Sequence, residues 1–343
     1  MSELQHAAED GDVSAQSILA AFYLNGGELI EKDFTKAEFW LTKAALKGDA
    51  LSEYSLGLLN LPNSGVKDDL YESYYWFRRA ALHGVNQAYL QIANILKSGS
   101  GILDDKDKAL QSLAQSGNNS PFVKGMMADI LLAKGETSKG IELLKESSEY
   151  EPQAMFNLAL LYAKGDFVEQ DYIQAYDLFK KAAQLGDIKS KANVGDMLIR
   201  GLGVTQDIDE GISTLIEAAE DGDPGGQYSL GMYYYMGEYV AKDFHLAVYW
   251  FKKAYDSGEF HAADPLGSCY YHGVGVSRDY KQAAYYWSEG AKKGLAYSQY
   301  GLGLLYYYGH GLFKSFETAA HWLKSAKALG QPIPHDIEMS LGI

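Results

Sequence analysis

A chain of 343 residues that is 47% hydrophobic and 22% charged is not disordered, and its length suits either two ordinary domains or one elongated array of repeats. Its formal net charge of −15 repels a phosphate backbone or an anionic lipid surface, so we expect no nucleic-acid partner. Its single cysteine, Cys269, excludes an internal disulfide framework and a cysteine-based zinc site.

The N-terminal sequence MSELQHAAEDGD has neither the basic nor the apolar region of a secretory signal. No stretch approaches the roughly 18 consecutive apolar residues of a membrane-spanning helix, so we expect no membrane insertion. These observations predict a cytoplasmic protein, with the reservation that removal of a leader would change the prediction.

An apolar residue followed by glycine or alanine recurs along the chain, and from Leu158 onward the step is 36 residues each time. A second apolar residue stands four positions later in every repeat but the second. Such a pair forms one stripe of an amphipathic helix, here named helix A, and the small residue lets a neighbouring helix approach closely. The apolar members are Leu19, Leu56, Ile92, Met127, Leu158, Val194, Leu230, Leu266 and Leu302.

A second helix, helix B, is predicted to begin 13 or 14 residues after each apolar member in eight of the repeats, at an aspartate or serine that suits an N-cap. The seventh residue after the cap is often large and apolar, and we expect it to be the core anchor. A glycine then ends the helix. The caps are Asp33, Asp69, Asp105, Asp171, Asp207, Asp243, Asp279 and Ser315, and the expected anchors are Trp40, Trp76, Leu178, Trp250, Tyr286 and Trp322.

These units predict an all-α fold, an α/α solenoid of about nine helix-turn-helix repeats of 36 residues. The segments YSLGMYYYMGEYVAKDFHLAVYWFKKAYDSG (228–258) and YGLGLLYYYGHGLFKSFETAAHWLKSAKALG (300–330) resemble the Sel-one-like repeat, a relative of the tetratricopeptide repeat. The resemblance covers nearly the whole chain. It implies a superhelical scaffold or adaptor that binds other proteins.

The domain organisation follows from this repeat pattern. The hexapeptide AAEDGD at 7–12 recurs at 218–223 at the end of a helix B, so residues 1–12 are expected to be a capping half-helix. We assign repeats one to three to 13–120, a compact repeat four to 121–151, and repeats five to nine to 152–330. Residues 331–343 are either a C-terminal cap, which we favour, or a partial repeat.

Three repeats depart from the pattern. Repeat three has Ser112 at the anchor position and then QSGNNSP, which predicts an early end to its helix B. Repeat four lacks the Gly-x-Gly turn, and its step to the next repeat is 31 residues, which predicts a bend or a boundary between two arms near 115–150. In repeat eight, Trp287 stands beside the anchor position that Tyr286 fills.

Residues that suggest chemistry have simpler explanations. The Gly-x-Gly pieces follow helix A and are interpreted as turns, because a phosphate loop needs a preceding strand. His261 and His272 form no HExxH motif, and Cys269 is interpreted as a small core residue. The recurring aspartates are needed as caps, so we expect no enzyme, no cofactor and no metal. The Gly-x-Gly pieces are Gly99–Gly101, Gly201–Gly203, Gly273–Gly275 and Gly309–Gly311.

The resemblance to tetratricopeptide repeats implies that A helices line a concave groove and that fixed positions on them contact a partner. The middle repeats supply polar side chains there, and the last three supply tyrosines, which combine contact area with a hydroxyl group. The candidate residues are Asn157, Lys164, Asn193, Asp196, Arg200, Tyr228, Tyr235, Tyr271, His272, Tyr307 and Tyr308.

Three functions remain open at this point. The first is a scaffold or adaptor, a monomer or weak oligomer, that binds a partner protein or peptide in the groove. The second is an inhibitor or immunity protein that neutralises one toxic enzyme. The third, which we favour least, is an enzyme or binder that acts on a polymer such as peptidoglycan.

Overall fold

The computed structural model describes residues 2–27, 30–62, 64, 66–97 and 105–343. Within these ranges the regular structure consists of twenty α-helices and one short 3₁₀ helix, without any β-strand. Successive helices pair as antiparallel A and B hairpins, so the prediction of an all-α solenoid is confirmed.

The chain divides into two compact units, residues 1–150 and 151–343. The bend near repeat four stays a prediction. Unit 1 contains α1 (Ser2–Glu9) and four hairpins: α2 (Val13–Asn25) with α3 (Phe34–Leu46), α4 (Ala50–Leu59) with α5 (Leu70–Leu82), α6 (Gln87–Lys97) with α7 (Lys106–Gln115), and α8 (Pro121–Lys134) with α9 (Thr137–Ser147).

Unit 2 contains five hairpins and a short terminal helix. The hairpins are α10 (Pro152–Lys164) with α11 (Tyr172–Gln184), α12 (Ile188–Arg200) with α13 (Ile208–Glu220), α14 (Pro224–Met236) with α15 (Phe244–Asp256), α16 (Ala263–His272) with α17 (Tyr280–Lys292), and α18 (Ala296–Tyr308) with α19 (Phe316–Ala328). The 3₁₀ helix Phe260–Ala262 precedes α16, and α20 (His335–Leu341) ends the chain.

Every predicted cap of a helix B is confirmed. Asp207, for example, accepts a hydrogen bond from the backbone N–H of Glu210 at 3.0 Å, and the other seven caps bond in the same way. Each cap satisfies a backbone donor that the first helical turn leaves free. A second series of aspartate caps, which the sequence analysis did not identify, begins four of the A helices: Asp12, Asp49, Asp187 and Asp223.

The deepest core position of helix B is the eighth residue after the cap, one later than predicted. Trp40, Trp76 and Trp250 are buried as expected, but Leu178, Tyr286 and Trp322 are only half-buried, and the residue after each is buried. In repeat eight the prediction of Tyr286 as the anchor is wrong: Trp287 is 3% exposed. The buried residues at this position are Leu41, Phe77, Leu113, Phe179, Leu215, Phe251, Trp287 and Leu323.

The small residue of helix A faces this deep position. A Cβ atom on Gly57 would lie 2.6 Å from the ring of Phe77, and one on Gly267 would lie 2.3 Å from the ring of Trp287. A real side chain does not fit at such distances, so these glycines are where helices A and B approach each other most closely.

The turns differ between ordinary repeats and repeat four. In repeat six the turn includes Gly203, whose φ is 69°, and a Cβ atom there would lie 2.1 Å from the carbonyl oxygen of Tyr172 in the preceding helix B. The Gly-x-Gly pieces from Gly201 onward are confirmed as turns, whereas Gly99–Gly101 lies outside the described residues. Repeat four has only Gly135 and Glu136 between its helices.

Both ends of the chain carry a short helix on the neighbouring hairpin. Gln16 donates a hydrogen bond to the carbonyl oxygen of Ala8 in α1 at 2.9 Å, and Gln227 makes the same bond to Ala219 at 2.9 Å within the second AAEDGD segment. At the other end, Ile337 of α20 is buried.

Candidate partner-binding surface

All eleven candidate residues lie in unit 2, on α10, α12, α14, α16 and α18, the A helices of repeats five to nine. Four of them, Lys164, Arg200, His272 and Tyr308, are exposed, and the other seven are half-buried. The A helices therefore present these side chains to solvent to different extents. Their use as one binding groove stays a prediction.

Asp196 is the centre of a polar cluster in repeats six and seven. Its Oδ1 accepts a hydrogen bond from the hydroxyl of Tyr233, and its Oδ2 lies 3.3 Å from Nη1 of Arg200. Burial, together with the bond to Asp196, raises the pKa of the Tyr233 hydroxyl, while the carboxylate raises the pKa of Arg200. The ring of Tyr233 meets Tyr239 edge to face at 5.2 Å.

Tyr233 was missed because it stands three residues after Leu230, a phase at which the sequence analysis placed no contact. The sequence feature that could have predicted this contact is the spacing of 37 residues between Asp196 and Tyr233, which places Tyr233 about one repeat further along the stacked A helices.

The two asparagines of the polar group are held within their own helices. Asn157 accepts a hydrogen bond from Gln153 at 3.0 Å, and Asn193 donates one to the carbonyl oxygen of Lys189 at 2.8 Å. These bonds join neither asparagine to the other. Their side chains are therefore oriented by the helix that carries them.

Tyr228 and Tyr235 pack partly against the core of repeat seven. Their ring centroids lie 5.9 Å and 6.3 Å from that of Phe251, and Tyr235 also meets Phe244 at 5.5 Å. Burial raises the pKa of both hydroxyls. Part of each ring therefore stabilises the repeat and is not free for a partner.

Tyr271 belongs to an aromatic group that we name the His310 cluster: Tyr271, Tyr280, Tyr308 and His310. The hydroxyl of Tyr271 lies 3.2 Å from Nδ1 of His310, and the rings of Tyr280 and Tyr308 stack on His310 at 4.5 Å and 5.5 Å. His272 meets Tyr271 edge to face at 4.9 Å. His310 was not predicted from the sequence, although it is the middle residue of the turn Gly309–Gly311.

The last repeat exposes several large aromatic side chains. Tyr308 is 48% exposed, Phe313 is 97% exposed and Phe316 is 53% exposed. Tyr307 connects two of them, since its ring lies 5.0 Å from Tyr308 and 5.4 Å from Phe316, and its hydroxyl lies 2.9 Å from that of Ser340. We name Tyr307, Tyr308, Phe313 and Phe316 the repeat-nine aromatic surface.

Phe313 was also missed by the sequence analysis. It takes the position that Thr205 and Ser277 hold in the turns of repeats six and eight, where small polar residues face solvent. An aromatic residue at a position that faces solvent in other repeats has no packing role that would explain it.

Among the described residues, no group of three His, Cys, Asp or Glu side chains is arranged to hold a metal ion. Nδ1 of His261 lies 2.7 Å from Glu259, and Asp264 accepts a hydrogen bond from Ser298. Cys269 is confirmed as a core residue, and burial raises the pKa of its thiol to about 11. The described helices include none that is long and apolar enough to cross a membrane.

Comparison with known families gives seven matches to the Sel1 repeat, at residues 13–49, 50–85, 152–187, 188–223, 224–259, 265–295 and 296–331. Together these segments make up more than half of the chain. The chain belongs to the Sel1 repeat family. The resemblance inferred from the sequence is thereby confirmed. The long segment without a match, 86–151, contains repeats three and four, which depart from the pattern.

Known relatives agree with this assignment. The Sel1-repeat-containing protein YjcO of Escherichia coli K12 is 30% identical over 138 residues, which are 39% of this chain and 58% of YjcO. This chain therefore matches little more than half of the length of that relative.

Two solved structures share the fold. A Sel1 repeat protein from Oxalobacter formigenes is 31% identical, with a TM-score of 0.55 over 59% of this chain and 83% of that one. The protective antigen c5321 of uropathogenic Escherichia coli is 22% identical, with a TM-score of 0.54 over 99% of this chain and 92% of that one. At this identity the second likeness concerns the fold alone.

Proposed function

We propose that this Sel1 repeat protein is an adaptor that binds a partner protein or peptide on the A helices of unit 2 and on the turn that follows helix A in repeat nine, with the repeat-nine aromatic surface as the main contact. The observation that carries the proposal is the exposure of Tyr308, Phe313 and Phe316 within one repeat. Removal of exposed aromatic rings from water by a partner contributes a large favourable free energy, and aromatic residues dominate the binding energy of many interfaces.

The polar residues of repeats five to seven have a different part in this proposal. The half-buried Asp196 and the exposed Arg200 form an ion pair with Tyr233 beside it, and Asn193 keeps a half-buried amide on the same helix. Such groups orient a bound chain through hydrogen bonds and select against partners that leave them unpaired. They contribute specificity, while the aromatic surface contributes affinity.

The proposed role is binding without catalysis. A helical repeat solenoid of the Sel1 type is in general a binding scaffold. The aspartates that recur at a fixed phase of the repeat cap the B helices, which explains their recurrence without acid–base chemistry.

The test compares a variant carrying Tyr308→Ala and Phe313→Ser with the wild type in affinity purification from the native host, followed by mass spectrometry. The matched control is Tyr249→Ala, because Tyr249 is 49% exposed but lies on α15, a helix B. We expect the wild type and the control to recover the same partner, and the double variant to recover about tenfold less or none. Equal recovery by all three would refute the proposed surface.

The same complex separates an adaptor from an inhibitor. If the recovered partner is an enzyme, its activity is measured with and without a saturating amount of the chain. An adaptor leaves that activity unchanged, whereas an inhibitor or immunity protein abolishes it.

A further inference from the structure

The anchor position of helix B is filled by tryptophan in some repeats and by serine in repeat three. Trp76 is buried with Ala45 of the preceding helix B, and Trp250 is buried with Ala219 in the same relation. Ala81 stands where Ala45 and Ala219 stand, but the residue that should cover it is Ser112. The ring that fills this position in repeats two and seven is therefore missing between α5 and α7.

A cleft of about 400 Å³ lies at this position in unit 1, with Ser112 and Ala81 among its lining residues. Its walls include the half-buried rings of Tyr74 and Tyr89. This volume is within the range of small-molecule pockets, which are typically about 300–1,000 Å³. The cleft is thus large enough to receive an aromatic side chain, which is the group that the repeat lacks here.

Two cations stand at the cleft in a chain that is otherwise strongly acidic. Lys108 forms an ion pair with Asp105 at 2.8 Å. Arg78 lies over the ring of Tyr74 at 5.8 Å, and no carboxylate in the described part of the chain is within 4.0 Å of its guanidinium. Arg78 is also exposed. Its planar guanidinium is thus available to bind a carboxylate through two parallel hydrogen bonds.

Repeat six shows that a small anchor residue alone does not produce such a site. Its anchor position holds Thr214, but the equivalent of Tyr74 is Tyr176, which is buried and not half-buried. The equivalent of Lys108 is Glu210, which replaces a cation with an anion. The open position and the two cations occur together only in repeat three among the repeats with a small residue there.

We infer that the cleft between α5 and α7 is a binding site for an aromatic carboxylate, with the ring in the position that tryptophan fills in other repeats and the carboxylate on Arg78. The C-terminal aromatic residue of a peptide and a free aromatic acid both have this chemistry. The site lies in unit 1 and does not depend on the partner surface proposed for unit 2.

The test uses isothermal titration calorimetry of the full chain with N-acetyl-L-tryptophan, which carries a ring and a carboxylate, and with N-acetyl-L-tryptophanamide, which lacks the charge. We expect the carboxylate to bind and the amide to bind about tenfold more weakly, because a hydrogen bond to a charged group is lost. Raising the salt concentration should weaken the binding of the carboxylate alone.

Two variants locate the binding in the cleft. Ser112→Trp should abolish binding while the chain stays folded by circular dichroism, since Trp76 occupies the same position one repeat earlier. Arg78→Ala should weaken binding about tenfold. The matched control is Lys180→Ala, which removes the equivalent cation of repeat five, held 5.6 Å from the ring of Tyr176, and it should leave binding unchanged.

Three results would overturn the inference: no heat of binding at concentrations on the order of 10 mM, equal affinity for the amide, or unchanged affinity in Ser112→Trp. A peptide of sequence Ser-Gly-Ser-Gly-Gly-Trp with a free carboxylate then distinguishes the two sources. Binding at least as tight as that of N-acetyl-L-tryptophan points to a protein C-terminus. Rejection of the peptide with retention of N-acetyl-L-tryptophan points to a small aromatic acid.

Discussion

Repeat three and repeat eight depart from the same repeat pattern in opposite directions. Repeat three has a serine, Ser112, where most other repeats have a large side chain, and a cleft remains beside it. Repeat eight has a larger side chain than usual at the deep position, because Trp287 stands where Phe77 and Phe251 stand in repeats two and seven. Here glycines on two helices make room: a Cβ atom on Gly267 or Gly301 would lie within 2.4 Å of the indole.

The difference shows how a repeat array absorbs a change of volume. The larger indole of repeat eight is matched by glycine in its own helix A and in the helix A of the next repeat. In repeat three the neighbouring side chains do not fill the deficit, because a cleft of about 400 Å³ remains beside Ser112. Natural cores leave few voids larger than a water molecule, so an uncompensated deficit is the more informative departure.

The largest predicted effect comes from making repeat seven resemble repeat three. Trp250→Ser removes a buried ring that packs with Ala219, and we expect the free energy of unfolding to fall by about 3 kcal/mol. Hydrogen exchange of the α13 and α15 amides, measured beside urea unfolding, locates the loss. The neighbouring Tyr249→Ala, at an exposed ring, should cost about 1 kcal/mol or less. An equal decrease in the free energy of unfolding of the two variants would show that the anchor position contributes no more to stability than an exposed ring.

The second prediction concerns the compensation in repeat eight. Gly267→Ala places a methyl group against Trp287. The overpacking should lower the free energy of unfolding by about 3 kcal/mol, which outweighs the increase of roughly 1 kcal/mol from better helix propensity. We expect a net loss of about 2 kcal/mol. Adding Trp287→Leu should remove most of that loss, because Ala20 and Leu41 already form this pairing in repeat one.

The control for this double-mutant cycle is Gly225→Ala. Gly225 lies on α14, and a Cβ atom there would meet only the carboxylate of Asp223 at 3.3 Å. It should change stability by less than about 0.5 kcal/mol. If Trp287→Leu gave no rescue, the fit between the indole and Gly267 would not be the cause of the loss.

The helices and their caps were predictable because their signals are local. The 36-residue step and the aspartate or serine that caps eight of the B helices are visible in the sequence itself, and all eight caps are confirmed. The deep position was missed by one residue because Trp76 and Phe77, like Trp250 and Phe251, are both large and apolar. Only the direction in which helix B faces helix A distinguishes the members of each pair.

The candidate site was less predictable because its contacts join different repeats. Tyr233 reaches Asp196 from the next helix A, and His310 receives Tyr271 from the repeat before it. A single repeat read alone contains neither contact. Phe313 was missed for another reason, since a residue exposed to solvent leaves no trace in a packing pattern.

The smallest predicted change in stability concerns the N-caps, and it tests whether repeats three and eight depart from the repeat pattern only at their core positions. Asp279 caps helix B in repeat eight, and Asp105 caps it in repeat three, each through backbone N–H groups of the first turn. Asp279→Ala should cost about 1 kcal/mol, whereas Asp279→Asn should cost little because asparagine caps equally well. Asp105→Ala should destabilise in the same direction.

The pH dependence of the Asp105 cap provides the sharper measurement. The side chain and backbone N–H of Lys108 hold the pKa of Asp105 below its usual value of 3.8. A carboxyl group whose pKa is lowered in the folded state stabilises the fold above the unfolded value, and this contribution is lost as the pH falls through the folded value. Asparagine does not titrate.

The urea midpoints of wild type and Asp105→Asn should therefore differ most at neutral pH and converge below about pH 3.8. Convergence would mean that the cap of repeat three works as an ordinary cap although its anchor position is open. The start of α7 would then be determined by the cap of its first turn, independently of the core. The cleft would be a local feature of an otherwise ordinary repeat. A difference that persisted in acid would instead indicate that Asp105 acts through something other than its charge.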